Sequence, residues 1–100
     1  MDENALVVEL RRRGNTIEQL RAFPVQYRDE LIGTLIPDIN VDNRVIVDTK
    51  VVSAFNESHT AQMVGYLTIT SLELALLLNF KFARLEIKRV VRQSASALSV

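Results

Sequence analysis

The segment at residues 44–52, with the sequence RVIVDTKVV, is the clearest β-strand in this chain because it is dense in β-branched residues. Side chains alternate between the two faces of a strand, so Asp48 and Lys50 share one face and Thr49 lies on the other. Two opposite charges therefore lie side by side in an otherwise aliphatic strand. They form either a surface ion pair of small energetic value or part of a functional site, and the strand alone leaves both readings open.

Length and composition predict one small, soluble domain with a core of its own. The chain has 100 residues, of which 48% are hydrophobic and 24% are charged. Without cysteine, it has no disulfide framework, thiol catalysis or cysteine-containing zinc site, and a reducing cytoplasm is the expected location. The acidic start does not resemble a signal peptide, and the longest apolar run, residues 74–78, is too short to span a membrane.

The hydrophobic pattern predicts helices at residues 3–13 and 59–70. The first ends in three arginines followed by Gly14, which is typical of a helix C-terminus. Segments with strand character follow the first helix and the second: residues 23–28, 31–36, 39–41, 44–52, 73–80 and 85–91. We expect three strands in an antiparallel meander before the second helix, and hence the order α-β-β-β-α-β-β. The predicted domain covers residues 1–93, followed by a flexible tail at 94–100.

Asp38 is a second acidic residue near the strand that carries Asp48. The turn signal at residues 42–43 places a residue about five before it beside one about five after it, so Asp38 and Asp48 are expected to be neighbours. Two adjacent carboxylates repel each other and are best tolerated around a divalent cation, for which oxygen ligands favour Mg²⁺. Lys50 would then orient or deprotonate a water and counter the charge of a phosphodiester. The spacing alone is a weak signal for this chemistry.

The second helix presents His59, Gln62 and Tyr66 on one face, because they are spaced three and four residues apart. Taken alone, the face favours structural roles: Tyr66 as a core aromatic residue, Gln62 as a residue of the helix surface and His59 as a structural residue. The face belongs to a site only if the rest of the chain supplies one.

The combined pattern resembles the PD-(D/E)XK nuclease superfamily and, more narrowly, the small GxxExxY family. Asp38, the Asp48-Thr49-Lys50 triplet and the Gln62/Tyr66 pair occur in the order helix, strands, helix, strand. The resemblance covers nearly the whole chain in these blocks: residues 5–14, 24–27, 37–38, 45–50, 59–67, 76–80 and 85–91. It implies an α/β fold with a restriction-endonuclease-like core, in which a mixed sheet is flanked by helices.

The resemblance also implies a nuclease that depends on Mg²⁺ or Mn²⁺ and acts on DNA or RNA. Asp38 and Asp48 would bind the metal, Lys50 would be the catalytic lysine, and Gln62 would lie near the site and contact the scissile strand. Tyr66 would support the same helix face. The rival interpretations keep the fold without the chemistry: an inactive module that binds nucleic acid or a partner, or a homodimeric structural domain.

Three departures from the family pattern bear on activity. The Gly and Glu of the family motif Gly-x-x-Glu-x-x-Tyr would precede Met1, and Asp2 stands where the Tyr belongs, so the chain is expected to be shortened. The Glu of the first helix helps to hold the metal in related nucleases, and Glu9 is the candidate substitute for it. Asp48-Thr49 replaces the usual Glu-Leu, which shortens the acidic side chain by one methylene. Lys81 replaces a Gly at a turn that often needs a positive φ.

Charge is unevenly distributed along the chain. The formal net charge is zero, but residues 81–100 carry +4 and residues 1–80 carry −4. Lys81, Arg84 and Lys88 are therefore candidate contacts for nucleic-acid phosphates. An equally serviceable reading is that basic residues protect an edge strand from aggregation.

Overall fold

A computed structural model describes residues 2–81 and 83–92. Two helices and seven strands are present in this part of the chain. In chain order they are α1 Glu3–Arg12, β1 Ile17–Gln19, β2 Phe23–Tyr27, β3 Glu30–Leu35, β4 Ile39–Val41, β5 Val45–Lys50, α2 Glu57–Thr70, β6 Leu74–Asn79 and β7 Glu86–Val91. The tail predicted at residues 94–100 lies outside the described residues, and the domain limit at residue 93 stays a prediction.

The main sheet has five strands in the order β1-β4-β5-β6-β7. Strands β5 and β6 are parallel, and all other neighbours are antiparallel. A parallel pair needs a crossover, which α2 supplies between β5 and β6. The predicted mixed sheet with flanking helices is thus confirmed.

The predicted three-stranded meander is wrong in its pairing. Strands β2 and β3 form a separate two-stranded sheet, while β4 pairs with β1. The sequence pattern does not reveal β1, because this strand has three residues and only Ile17 is buried. Strand β5 also ends at Lys50 instead of residue 52, and the exposed Val51 begins the loop to α2.

Helix α2 begins earlier than predicted because Asn56 caps it. The Asn56 side chain accepts hydrogen bonds from the N–H groups of Ser58 and His59, and His59 Nδ1 accepts one from the Asn56 N–H. This capping box assigns His59 a structural role at the start of the helix. The helix ends at Ser71, which adopts the left-handed conformation at φ 62°.

Apolar side chains cover both faces of the main sheet. On the α2 side the core contains Ile46, Met63, Leu67, Ala75 and Leu77. On the α1 side it contains Val7, Ile17, Ile39, Val47 and Leu78. Because β5 and β6 are covered on both faces, the polar side chains at the ends of these strands are held by a rigid support. Neither described helix has the length and apolar character needed to cross a membrane.

Candidate active site

Asp38 and Asp48 lie side by side, as the turn spacing predicts. Ile39 pairs with Val47 across the antiparallel β4 and β5, which places Asp38, just before β4, opposite Asp48. The Asp38 N–H donates a hydrogen bond of 3.2 Å to Asp48 Oδ1. The turn between the strands contains Asp42 and Asn43, both left-handed, at φ 55° and 53°. Turn chemistry therefore fixes the register that brings the two acids together.

Asp48 is buried, with only 4% of its surface exposed. Burial is the main cause that raises its pKa above the ordinary value of 3.8, and the negative charge of Asp38 raises it further. Lys50 opposes these effects, with its Nζ 3.3 Å from Asp48 Oδ2. Asp48 and Lys50 are therefore not the solvent-exposed ion pair that the strand alone would allow.

Lys50 is held on its other side by α2. Its Nζ donates to Gln62 Oε1 at 3.0 Å, and Gln62 Nε2 donates to the Tyr66 hydroxyl at 3.0 Å. Burial raises the pKa of Tyr66, and the charges of Asp48 and Asp38 add to the shift. The structure thus brings five predicted site residues into one connected group: Asp38, Asp48, Lys50, Gln62 and Tyr66.

Thr49 is a site residue that the sequence pattern does not single out. Its N–H and its Oγ1 each donate to Asp38 Oδ2 at 2.9 Å. Thr49 Oγ1 also lies 3.4 Å from Glu3 Oε1, so Glu3 is an α1 carboxylate that approaches this group. The signal that would have pointed to Thr49 is a hydroxyl on a strand face that is otherwise valine.

Glu9 does not join this group. Its Oε1 forms an ion pair of 2.9 Å with Arg13, and both side chains are exposed. Glu9 lies six positions after Glu3, which corresponds to about 9 Å along the helix and a different face. The expectation that Glu9 supplies a metal ligand is therefore not supported by its position. Within residues 2–81 and 83–92, no three His, Cys, Asp or Glu side chains form a metal-ligand cluster.

Asn79, in the block at residues 76–80, organises the backbone beside Lys50. Its side chain is fully buried and makes four hydrogen bonds: to the N–H and carbonyl of Val52, to the N–H of Lys81 and to Glu86 Oε1. The Phe80 N–H also donates to the Lys50 carbonyl at 2.9 Å. Asn79 therefore ties the loop that follows Lys50 to the β6–β7 connection.

The three basic candidates lie in the β6–β7 connection or in β7 itself. Lys81 is exposed and donates from Nζ to Ser53 Oγ at 3.0 Å. Its φ is not positive, so the backbone strain expected where lysine replaces glycine does not arise. Arg84 is exposed just before β7. Lys88 pairs with Leu77, which in turn pairs with Asp48, and it lines an open groove along α2. Within residues 2–81 and 83–92, no hydrogen bond or ion pair links Arg84 or Lys88 to the acidic pair.

Comparisons with known proteins agree with this arrangement. The family model described as PD-(D/E)XK nuclease superfamily matches residues 1–90. A search of curated protein sequences gives no significant match.

Two solved structures share the fold. One is an alkaline exonuclease from Laribacter hongkongensis, with a TM-score of 0.66, 11% identity, and coverage of 95% of this chain and 56% of that one. The other is the protein SSO0001, with a TM-score of 0.63, 16% identity, and coverage of 93% and 50%. The chain thus spans about half the length of each. Since the family model covers most of the sequence, the chain belongs to the PD-(D/E)XK nuclease superfamily.

Proposed function

We propose that the chain is a metal-dependent nuclease that hydrolyses phosphodiester bonds in nucleic acid. The observation that carries the proposal is the contact between Asp38 and the buried Asp48, with the Lys50 ammonium beside them. Superfamily membership favours nucleic acid as the substrate. Within the superfamily, the sequence blocks at residues 59–67 and 76–80 favour the GxxExxY family.

The acidic pair fits a divalent cation. Asp48 has lost most of its hydration, and its carboxylate lies beside a second one with Lys50 as the only cation in direct contact among the described residues. A bound cation would relieve this repulsion, and Mg²⁺ commonly takes one or two protein carboxylates. Asp38 and Asp48 would hold Mg²⁺ or Mn²⁺. The cation would supply Lewis-acid stabilisation of the charge that develops on the phosphate.

Lys50 is the residue placed to act on the reacting groups. Its ammonium lies at the edge of the acidic pair, where it can donate a hydrogen bond to the phosphate or orient a water for attack. Gln62 restricts the position of Nζ, and Tyr66 fixes the orientation of the Gln62 amide. Lys81, Arg84 and Lys88 are proposed to contact phosphates farther along the substrate.

The test is cleavage of labelled single-stranded and duplex oligonucleotides, DNA and RNA, in Mg²⁺ and in EDTA. We expect product only with the metal, and loss of product in Asp48→Asn. Asp29→Asn is the matched control, because Asp29 is exposed in the β2–β3 turn with φ 66°, a conformation that asparagine tolerates. Cleavage that survives in Asp48→Asn would contradict the proposal. Binding of oligonucleotides without cleavage would support the inactive-module alternative.

Two further properties of the chain are open to simple measurement. A homodimer stays a prediction, and light scattering in solution tests it. The cytoplasmic location likewise stays a prediction, for which fractionation of the native cell is the test.

A further inference from the structure

The side chain of Thr49 reaches Asp38 from a strand position that usually faces an apolar layer. Thr49 alternates with Asp48 and Lys50 and therefore shares the strand face of Val45 and Val47. Its hydroxyl nevertheless lies 2.9 Å from Asp38 Oδ2, because Asp38 lies just before β4, outside the paired part of that strand. The contact thus crosses the end of the sheet.

Two donors from one residue fix the Asp38 carboxylate. The backbone N–H and the hydroxyl of Thr49 both donate to Oδ2, each at 2.9 Å. The described part of the chain donates no hydrogen bond to the other oxygen, Oδ1. With both donors present, rotation of the carboxylate would break two bonds. With the N–H alone, it would break one.

The hydroxyl has a single proton to donate. Asp38 Oδ2, at 2.9 Å, is the better acceptor than Glu3 Oε1, at 3.4 Å. Charge-assisted hydrogen bonds are stronger than neutral ones, so this donation favours one orientation of Asp38.

We propose that Thr49 is a positioning residue whose hydroxyl holds Asp38 so that Oδ1 stays available to a divalent cation bound together with Asp48. The proposal rests on the proposed metal-dependent function. It assigns a role to the middle residue of the Asp48-Thr49-Lys50 triplet, where a leucine would supply no donor from its side chain.

The experiment is titration of the full chain with Mn²⁺ by isothermal calorimetry, without nucleic acid. Loss of a group that orients a metal ligand typically weakens binding 10- to 100-fold, so we expect Thr49→Val to bind Mn²⁺ about tenfold more weakly than the wild type. Thr49→Ser keeps the hydroxyl and is expected to bind within about twofold of the wild type on the same reasoning. Thr68→Val is the matched control, because the Thr68 hydroxyl donates to the Val64 carbonyl of its own helix.

The outcomes separate this inference from the function on which it rests. Wild-type affinity in Thr49→Val, or equal weakening in Thr49→Ser and Thr49→Val, overturns the positioning role and leaves the nuclease proposal standing. Absence of Mn²⁺ binding by the wild type overturns both. Circular dichroism of each variant establishes that it is folded, and Thr49→Ser supplies the rescue that a purely structural effect of the valine would not show.

Discussion

Asn79 and Asn40 offer a test of how hydrogen bonding stabilises this fold. Both side chains are almost completely buried, with exposures of 0% and 1%. Asn79 makes four hydrogen bonds, whereas neither polar side-chain atom of Asn40 has a partner in the described structure. The same substitution, asparagine to the similarly sized leucine, should therefore have opposite effects at the two positions.

The magnitudes follow from the number of bonds. A hydrogen bond contributes about 1 kcal/mol net, and its loss costs more where a buried partner is left unsatisfied, so Asn79→Leu should lower the free energy of unfolding by about 4 kcal/mol. At Asn40, leucine removes two unpaired polar atoms from the interior, and we expect a gain of about 1–2 kcal/mol. Glu86→Ala removes one bond to Asn79 and provides a milder variant, with an expected loss of about 1 kcal/mol.

The assay is equilibrium unfolding in urea, followed by far-ultraviolet circular dichroism, for the wild type and the three variants. The difference between Asn79→Leu and Asn40→Leu is expected to be about 5 kcal/mol or more. Equal destabilisation by the two leucine substitutions would refute the reasoning, because burial and volume, and not hydrogen bonding, would then decide the outcome.

Three other changes probe the site and its support. The raised pKa of Asp48 means that the folded chain binds this proton more tightly than the unfolded chain, so the metal-free protein should lose stability as pH rises from the ordinary carboxyl range through the raised value. Asp48→Asn should reduce that loss of stability, measured by urea titrations between about pH 4 and 8, where carboxyl groups with raised pKa values titrate. An unchanged pH profile would contradict the assignment of this loss to Asp48. Gln62→Leu should lower the cleavage rate about tenfold, because Lys50 loses its hydrogen bond to the Gln62 side chain. The Mn²⁺ affinity measured by calorimetry should stay unchanged, and weaker Mn²⁺ binding would contradict the assignment of Gln62 to Lys50 and not to the metal. Leu20→Gly should raise the thermal midpoint slightly, because glycine relieves about 1 kcal/mol of backbone strain at φ 55° and keeps the hydrogen bond from the residue 20 N–H to the Asp38 carbonyl. A lower midpoint would show that the leucine side chain contributes more stability than the strain costs.

The sequence predicts the central part of the site because that part depends on local rules. The turn at residues 42–43 and the alternation of side chains along β5 are sufficient to place Asp38 beside Asp48 and Lys50. The spacing of Gln62 and Tyr66 is likewise a property of a single helix. Such features need only strand and helix periodicity.

The remaining features depend on contacts between elements that periodicity does not specify. The separation of β2 and β3 from the main sheet follows from β4 pairing with the three-residue β1, which has no recognisable pattern. The four bonds of Asn79 join residues up to 27 positions apart along the chain, and the bond from Thr49 to Asp38 crosses the end of the sheet. The choice between Glu3 and Glu9 has the same origin, since only the packing of α1 decides which of its acids approaches β5.

The most direct test of the central claim is the rate of oligonucleotide cleavage by the wild type and by Lys50→Met over a titration with Mg²⁺. We expect wild-type product to increase with Mg²⁺ and to disappear in EDTA. Lys50→Met should cleave roughly 100-fold more slowly or worse, because it keeps both carboxylates but lacks the ammonium that orients the reacting groups. Equal rates for the two proteins, or cleavage by the wild type in EDTA, would contradict the account.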